Sequence, residues 1–460
     1  MADGYLLVEN LIEFSMENLH LSEYDTDFLR LRLYKFFSLD YKSAKKYLGK
    51  GKLLPREKII ADLKEYIENV FSFSGNIDEL ICEIFGQLIP LPSQLNRNFK
   101  SLRERLGARA AIEYFYGISC SGNYVVEEDY SPIDADNGGI YVSSADRSGD
   151  EYLSDDLKTE NFRAVTFEFG EKNYNFDFLR FSDCKEQAEL CPSDGKPFVF
   201  DRQSIDDALS FLEYLPNLCV LSSVSGKTNE NVATCDRFFA ISDDLPLFKR
   251  GDYSFISSAE FPDADMSIVD YPVATVRFLT FNRNTVVELT YEIISAWNTY
   301  IDEDNGIHGN SKKAANRAFF SIKILSDGRY VVHISFTKTD DFNLYAEKKG
   351  VDSLFCSRYY PLTLAGRFVV DTNGKKIIDR AVKFVQKKLS DTDGLEPFSK
   401  LLARIEKDNA YLPNEPKARA LVNEELYMAA NEFLIAQSAF CGEELWLMTF
   451  KNFLSTVDIK

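Results

Sequence analysis

Histidine is scarce in this chain: its 460 residues include only three, His20, His308 and His333. Histidine is a common metal ligand and the usual general acid or base near neutral pH. The eight cysteines form no Cys-x-x-Cys pair, and no Walker, Rossmann or zinc-finger spacing occurs. We therefore expect no metal site and no cofactor.

Positive charge and long apolar runs are also lacking. The formal net charge is -19, which disfavours nucleic acid and anionic membranes as partners. No apolar run approaches the roughly 20 residues of a membrane span. The opening Met1-Ala2-Asp3-Gly4 has no cationic stretch, so we expect no signal peptide and a cytoplasmic protein with reduced cysteines.

What the chain does contain is enough apolar material for several cores. The apolar fraction is 45% and the aromatic fraction 14%, which is typical of a globular protein. Five helical apolar stripes predict a helical N-terminal region, at residues 5–19, 26–37, 55–71, 77–88 and 95–116. Residues 120–160 are rich in Ser, Asp, Gly and Asn, which predicts a loop.

Alternating and helical patterns beyond residue 160 predict two sheet-and-helix halves. The first half has predicted strands at 162–169, 174–181, 218–223 and 237–241 and a helix at 201–214. The second half has predicted strands at 274–281, 318–324, 328–336 and 368–371. Its helices are predicted at 285–300, 375–389, 396–408, 420–438 and 443–455.

A series of short motifs resembles the type II galactose-1-phosphate uridylyltransferases in the same order. The motifs are Gly86-Gln87-Leu88-Ile89-Pro90-Leu91-Pro92-Ser93, Ala110–Tyr116, Phe211-Leu212-Glu213-Tyr214-Leu215-Pro216-Asn217, Trp297–Glu303 and Leu364–Arg367. The resemblance implies an α+β fold with histidine-triad-like halves, divided into a helical region at 1–118, a first half at 119–265 and a second half at 266–460. It also implies an enzyme that moves UMP from UDP-glucose to galactose 1-phosphate.

The reactive motif of that family is altered. The family has His, His and Gln where this chain has Cys235, Arg237 and Phe239, and its second His is the nucleophile. Arg237 offers only donors and stays protonated, so it cannot attack phosphorus. Cys235 is left as an alternative nucleophile if Arg237 lowers its thiol pKa; the other interpretation is a buried structural thiol.

The family's nucleotide-binding motifs are missing between Val125 and Glu160, and its basic segment reads Val125-Val126-Glu127-Glu128-Asp129 here. A pair of family histidines reads Tyr345-Ala346 here, followed by Lys348-Lys349, which we interpret as a solvated turn. We interpret His20 as a surface residue, His308 as a loop residue and His333 as a hydrogen-bonded histidine in a strand.

These features predict a divergent relative of the hexose-1-phosphate uridylyltransferases that has lost catalysis and is retained for binding. Its expected partners are a weakly bound UDP-sugar or hexose phosphate, a protein partner or a second copy of the chain. The alternative is a weakly active galactose-1-phosphate uridylyltransferase. No catalytic residue is confirmed by the sequence, and the family positions are Cys235, Arg237 and Phe239.

Overall fold

The structure is a computed structural model that describes residues 3–71, 73, 75–137, 140–145, 159–196, 198–225, 234–235, 237–242, 244–309, 316–337, 350–440 and 446–460. The chain groups into two compact units. Unit 1 comprises Met1–Glu127, Tyr152–Phe167 and Asn175–Phe181, and unit 2 comprises Glu128–Glu151, Glu168–Tyr174 and Ser182–Lys460. The three-part division of the sequence stays a prediction.

Unit 1 is mainly helical, as the apolar stripes predict. Its helices are α1 (Gly4–Asn18), α2 (Thr26–Phe36), α3 (Tyr41–Ala44), α4 (Arg56–Tyr66), α5 (Ile77–Leu88), α6 (Pro92–Leu106) and α7 (Ala108–Ser121). Helix α1 begins where the Asp3 carboxylate accepts the N–H of Tyr5, a typical N-cap. Its apolar stripe, including Leu7, Leu11 and Phe14, is buried.

Two of the predicted helices differ from the structure. The prediction of one helix over 95–116 is wrong, because Gly107 adopts a φ of 96° and separates α6 from α7. Glycine tolerates this left-handed conformation, which interrupts helical geometry. The predicted helix over 55–71 is α-helical only to Tyr66 and continues as a π-helical turn at Ile67–Phe71.

Five aromatic rings form the centre of unit 1. Phe99 and Phe115 of helices α6 and α7 lie 6.2 Å apart, edge to face. They pack on rings from strands β3 (Val165–Phe169) and β4 (Lys172–Phe178), namely Phe167, Phe176 and Phe178. The predicted strand pair at 162–169 and 174–181 is therefore confirmed, with shifted ends.

The predicted loop over 120–160 is wrong in part, because it contains strands β1 (Ser131–Asn137) and β2 (Ile140–Ser144). Strand β2 pairs in parallel with β17 (Arg367–Val370) in unit 2. Val142 and Ser143 of β2 are buried there. Within this polar, glycine-rich stretch, Ile140, Tyr141 and Val142 are residues that favour a strand, and β2 forms at these positions.

The main sheet of unit 2 contains the order β10-β11-β12-β16-β15-β7-β9-β5. Its strands are β5 (Ala188–Pro192), β7 (Cys219–Ser225), β9 (Phe238–Ile241), β10 (Asp252–Ile256), β11 (Asp265–Val269), β12 (Thr275–Thr280), β15 (Arg317–Ile324) and β16 (Tyr330–Thr337). Short strands β6 (Phe198–Val199) and β8 (Thr234–Cys235) pair beside β7, and β13 (Ile301–Asp302) pairs with β14 (Ile307–His308). Strands β5, β10 and β11 have no counterpart in the sequence prediction.

The main sheet repeats one arrangement twice. In the first half, β5 precedes helix α8 (Arg202–Tyr214), and strands β7 and β9 follow it with the spatial order β5-β9-β7. In the second half, β12 precedes helix α9 (Arg283–Thr299), and β15 and β16 follow it with the spatial order β12-β16-β15. The halves join where β7 pairs antiparallel with β15.

The predicted α+β class, with a helical N-terminal region followed by two sheet-and-helix halves, is confirmed. The remaining helices are α10 (Tyr360–Leu364), α11 (Thr372–Val385), α12 (Ser399–Asp408), α13 (Glu415–Gln437) and α14 (Trp446–Ser455). Within the described part of the chain, none of the helices combines the length and apolarity needed to span a membrane.

Helices α8 and α9 pack together over one face of the main sheet. Arg283 of α9 forms ion pairs with Asp206 and Glu213 of α8, at 2.7 and 2.6 Å. Phe238 of β9 and Phe320 of β15 contact each other edge to face at 6.0 Å, and Phe320 also meets Phe200, which precedes α8. We call this the helix face of the sheet and the opposite side the outer face.

The predicted helix over 201–214 is confirmed, and its buried stripe is a test of the fold. Leu212 is fully buried, so we expect Leu212→Ala to lower the free energy of unfolding by roughly 2–5 kcal/mol through lost burial and a residual cavity. Lys376→Ala, at an exposed position of α11, is the control and should stay within about 0.5 kcal/mol. Urea unfolding measures both; equal effects would contradict the placement of α8.

Candidate functional site

The altered motif lies at the start of β9, between β5 and β7. Phe239 is opposite Leu221 of β7 and opposite Glu189 of β5. Side chains alternate along a strand, so Arg237 and Phe239 share the outer face while Phe238 faces the helices. The structure therefore brings two of the three sequence-predicted positions together on one surface of unit 2.

Arg237 is held in an ion pair. Its Nη1 lies 2.6 Å from Oε2 of Glu189, whose side chain is only 11% exposed. Burial lowers the pKa of Arg237, but the charge and the hydrogen bond of Glu189 outweigh it, so the pKa is raised overall. The guanidinium thus has no lone pair to offer as a nucleophile, and its charge is already neutralised by a buried carboxylate.

Phe239 is covered by a second aromatic ring. The Phe239 side chain is buried, and the ring of Tyr359 packs on it edge to face at 5.3 Å. The two rings meet edge to face, which is a favourable contact between aromatic side chains. A developing phosphoryl charge needs preorganised donors, and the Phe239 ring cannot supply one.

The segment that carries Tyr359 is fixed by a buried carboxylate. Asp183 is fully buried, and its Oδ2 accepts the backbone N–H groups of Arg358 and Tyr359, each at 2.8 Å. Arg358 also lies 3.2 Å from Glu128. These bonds hold the Tyr359 ring over Phe239.

For Cys235, the third motif position, the structure describes only the backbone. Cys235 forms β8 with Thr234 and pairs with Phe198 and Val224 through the backbone. Its side chain and the whole of Asp236 lie outside the described part of the chain, so the thiolate hypothesis stays a prediction.

Glu189 and Tyr359 contact the motif positions but were not predicted from the sequence. Strand β5 alternates Ala188 and Leu190 with Glu189 and Cys191, and this alternation is the one signal that could have placed Glu189 in a strand. Nothing in the sequence near Tyr359 indicates that its ring meets Phe239.

The acidic stretch after Val125 is less repulsive than its sequence suggests. In unit 1, Glu127 lies 3.5 Å from Arg56. In unit 2, Glu128 pairs with Arg358. Both carboxylates therefore have a cationic partner, and each exerts a smaller negative potential than an isolated carboxylate would.

The structure confirms the prediction for His20 but not the prediction for His308. His20 is exposed, as predicted, with a φ of 54° at the end of α1. The loop prediction for His308 is wrong, because His308 forms β14 and pairs with Ile301; its side chain is outside the described residues. Lys348 and Lys349 also lie outside them.

His333 lies in β16, as predicted, but the expectation of a hydrogen-bonded ring is wrong within the described residues. Its ring is fully buried, neither nitrogen has a hydrogen-bond partner there, and Phe248 packs on it edge to face at 4.6 Å. Burial lowers the pKa of His333 to about 3, with the charge of Arg277 acting in the same direction and that of Asp252 opposing it. The ring is therefore neutral near pH 7.

A comparison with models of known protein families finds no match. Among curated proteins, the galactose-1-phosphate uridylyltransferase of Clostridium perfringens (strain 13) is 21% identical over 98% of this chain and 99% of that protein. The enzymes of the same name from Ligilactobacillus salivarius and Bifidobacterium longum are each 19% identical, over 71% and 75% of this chain and 73% and 77% of theirs. The crystal structure of yeast Ap4A phosphorylase with AMP covers 60% of this chain and 93% of that protein, with 9% identity and a TM-score of 0.34.

The fold is that of an α+β protein whose main sheet is built from two similar halves. The similarity to curated proteins gives a more specific classification. The chain is a divergent relative of the galactose-1-phosphate uridylyltransferases, which confirms the resemblance seen in its motifs.

The buried state of His333 predicts a pH-dependent stability. Its pKa is about 3 in the native state and about 6.5 when unfolded. Below about pH 6.5 the unfolded chain binds a proton that the native ring does not, so stability falls as the pH falls, by about 2 kcal/mol at about pH 5.

His333→Leu removes this titration and two unpaired nitrogens, so it should be at least as stable as the parent near pH 7. Urea unfolding at about pH 7.5 and about pH 5 should show the difference in stability growing in favour of the variant at the lower pH. If the difference in stability between variant and parent is the same at both pH values, the native His333 ring takes up a proton at about pH 5 as the unfolded chain does.

Proposed function

We propose that this chain has lost uridylyl transfer and serves as a binding protein built on a uridylyltransferase-like scaffold. The observation that carries the proposal is the ion pair between Arg237 and Glu189 at the position of the family's nucleophile. Covalent transfer of UMP requires a side chain with an available lone pair. A protonated guanidinium bound to a carboxylate has none.

The surroundings of Arg237 support the same conclusion. The Phe239 ring and the Tyr359 ring fill the adjacent surface, at 5.3 Å from each other. A phosphate placed there would lose its hydration and gain no donor from the Phe239 ring, which is unfavourable. UDP-sugars or hexose phosphates should therefore bind weakly at this surface.

The proposed role is to bind a ligand weakly or to bind a protein, either a separate partner or a second copy of the chain. The net charge of -19 disfavours nucleic acid and anionic membranes. Cys82, Cys120 and Cys219 carry free thiols. Free thiols are typical of a reducing compartment, which supports a cytoplasmic location.

One observation favours the alternative of a weakly active enzyme. The Clostridium perfringens relative matches 98% of this chain and 99% of its own length, so the resemblance extends over nearly the full length of both chains. An active form would require a nucleophile other than Arg237, and Cys235 is the one candidate within the motif. The experiment below separates loss of a nucleophile from loss of a site.

The test is to restore the family motif with Cys235→His, Arg237→His and Phe239→Gln together. We predict no measurable transfer of UMP from UDP-glucose to galactose 1-phosphate, because positioning within roughly 3–3.5 Å also requires the missing nucleotide-binding segments. Glu189 would in addition favour the protonated form of a histidine at position 237. Product formation is measured by chromatography of the sugar nucleotides.

Two control variants separate background turnover from turnover by the new histidine. The same variant with Ala at position 237 gives the background without a nucleophile. Adding Glu189→Gln to the restored motif removes the carboxylate that would protonate the new imidazole. Turnover above background in either restored variant would show that the pocket survives and would overturn the proposed loss of the site.

A further inference from the structure

We propose that a second cleft, on the outer face of the second half of the sheet, binds a small organic anion with an apolar ring or chain. The cleft has a volume of about 720 Å³ and lies over β10, β11, β12, β15 and β16. This volume is within the range of small-molecule sites. The altered motif is on β9 in the first half of the sheet, so the cleft is separate from it and does not depend on the proposed function.

Two of the three cations that line the cleft lie deep, and two of its three acids lie at the rim. The side chains of Arg277 and Lys323 are 12% and 25% exposed. Asp244, the partner of Lys323, is 61% exposed and Asp265 is 85% exposed. Charges in contact with water are screened far more than buried ones, so the acids at the rim offset the inner cations only partly.

One acid does lie deeper. Asp252 is 31% exposed, pairs with Arg277 and accepts a hydrogen bond from Ser267. The other inner cation is Lys323. Among the described residues, its only ion-pair partner is the exposed Asp244. Lys249 adds a further cation at an exposed position, without an ion pair to any described residue. The cleft lining thus balances three cations against three acids, in a chain with a net charge of -19. Because Asp244 and Asp265 lie at the rim, the interior is the part of the cleft that favours an anionic group.

The walls of the cleft are partly apolar, which favours a ligand that also has an apolar part. Met266, Leu279 and Val331 line it. The Phe248 ring lies 5.8 Å from the Lys323 ammonium, and Phe255 is 83% exposed at the edge strand β10. A ligand that carried only charge would leave these surfaces in contact with water, whereas an organic anion would cover them.

Polar groups lie directly behind the Phe248 wall. His333 packs against the Phe248 ring, and Ser321 is opposite His333 on β15. Both His333 nitrogens and the Ser321 hydroxyl lack hydrogen-bond partners among the described residues. Buried polar groups without partners are rare in folded proteins and are costly to stability. Polar atoms that are costly to bury therefore lie next to the cleft.

The probe for the test is phenyl phosphate, which joins a dianion to an apolar ring, and binding to the full-length chain is measured by calorimetry. Lys249→Glu, at an exposed position, should weaken binding at least tenfold, and Lys323→Gln should weaken it likewise. Lys376→Glu on α11 makes the same charge change at an exposed site elsewhere and should change affinity less than twofold. Arg237→Met should also leave it unchanged.

Inorganic phosphate and benzyl alcohol each supply one half of the probe, and both should bind at least tenfold more weakly than phenyl phosphate. Equal binding of inorganic phosphate would overturn the requirement for an apolar part. No binding of phenyl phosphate, or binding that Lys249→Glu and Lys323→Gln leave unchanged, would overturn the site. Loss of binding in Arg237→Met alone would place the anion at the altered motif and also overturn it.

Discussion

The antiparallel pairing of β7 with β15 is the interaction on which the architecture of unit 2 depends. It runs from Ser225 opposite Arg317 to Cys219 opposite Lys323, and it joins two halves that each order their strands in the same way. Because the halves share one sheet, helices α8 and α9 meet over one face and leave the other face to the altered motif and the second cleft. Ion pairs from Arg283 to Asp206 and Glu213 reinforce this arrangement.

On the outer face, each of the two described motif side chains has a partner. Position 237 now holds a guanidinium that is neutralised by Glu189, and position 239 holds a ring that packs on Tyr359. Each substitution is stabilised by a partner, so the surface is a consistent structure in its own right. The second half differs in character, since Arg277 and Lys323 line an open cleft there.

Sequence reasoning succeeds where the signal is local. Helices α1, α2, α4, α5, α8 and α9 follow apolar stripes that repeat within a few residues, and the family resemblance follows short motifs. It fails for distant pairing: β2 pairs with β17, more than two hundred positions along the chain, and no local pattern indicates that partner. The Arg237–Glu189 pair was missed because β5 was missed, whereas the break at Gly107 was a signal that the sequence did contain.

The proposed loss of uridylyl transfer requires that neither Arg237 nor Cys235 acts as a nucleophile. The most direct measurement is to incubate the full-length chain with UDP-glucose labelled in its α-phosphate and to count the label bound to the denatured protein. The account predicts no label above the level of an Arg237→Ala, Cys235→Ser double variant. Stoichiometric label on the parent chain that is absent from that variant would show a working nucleophile and would contradict the account.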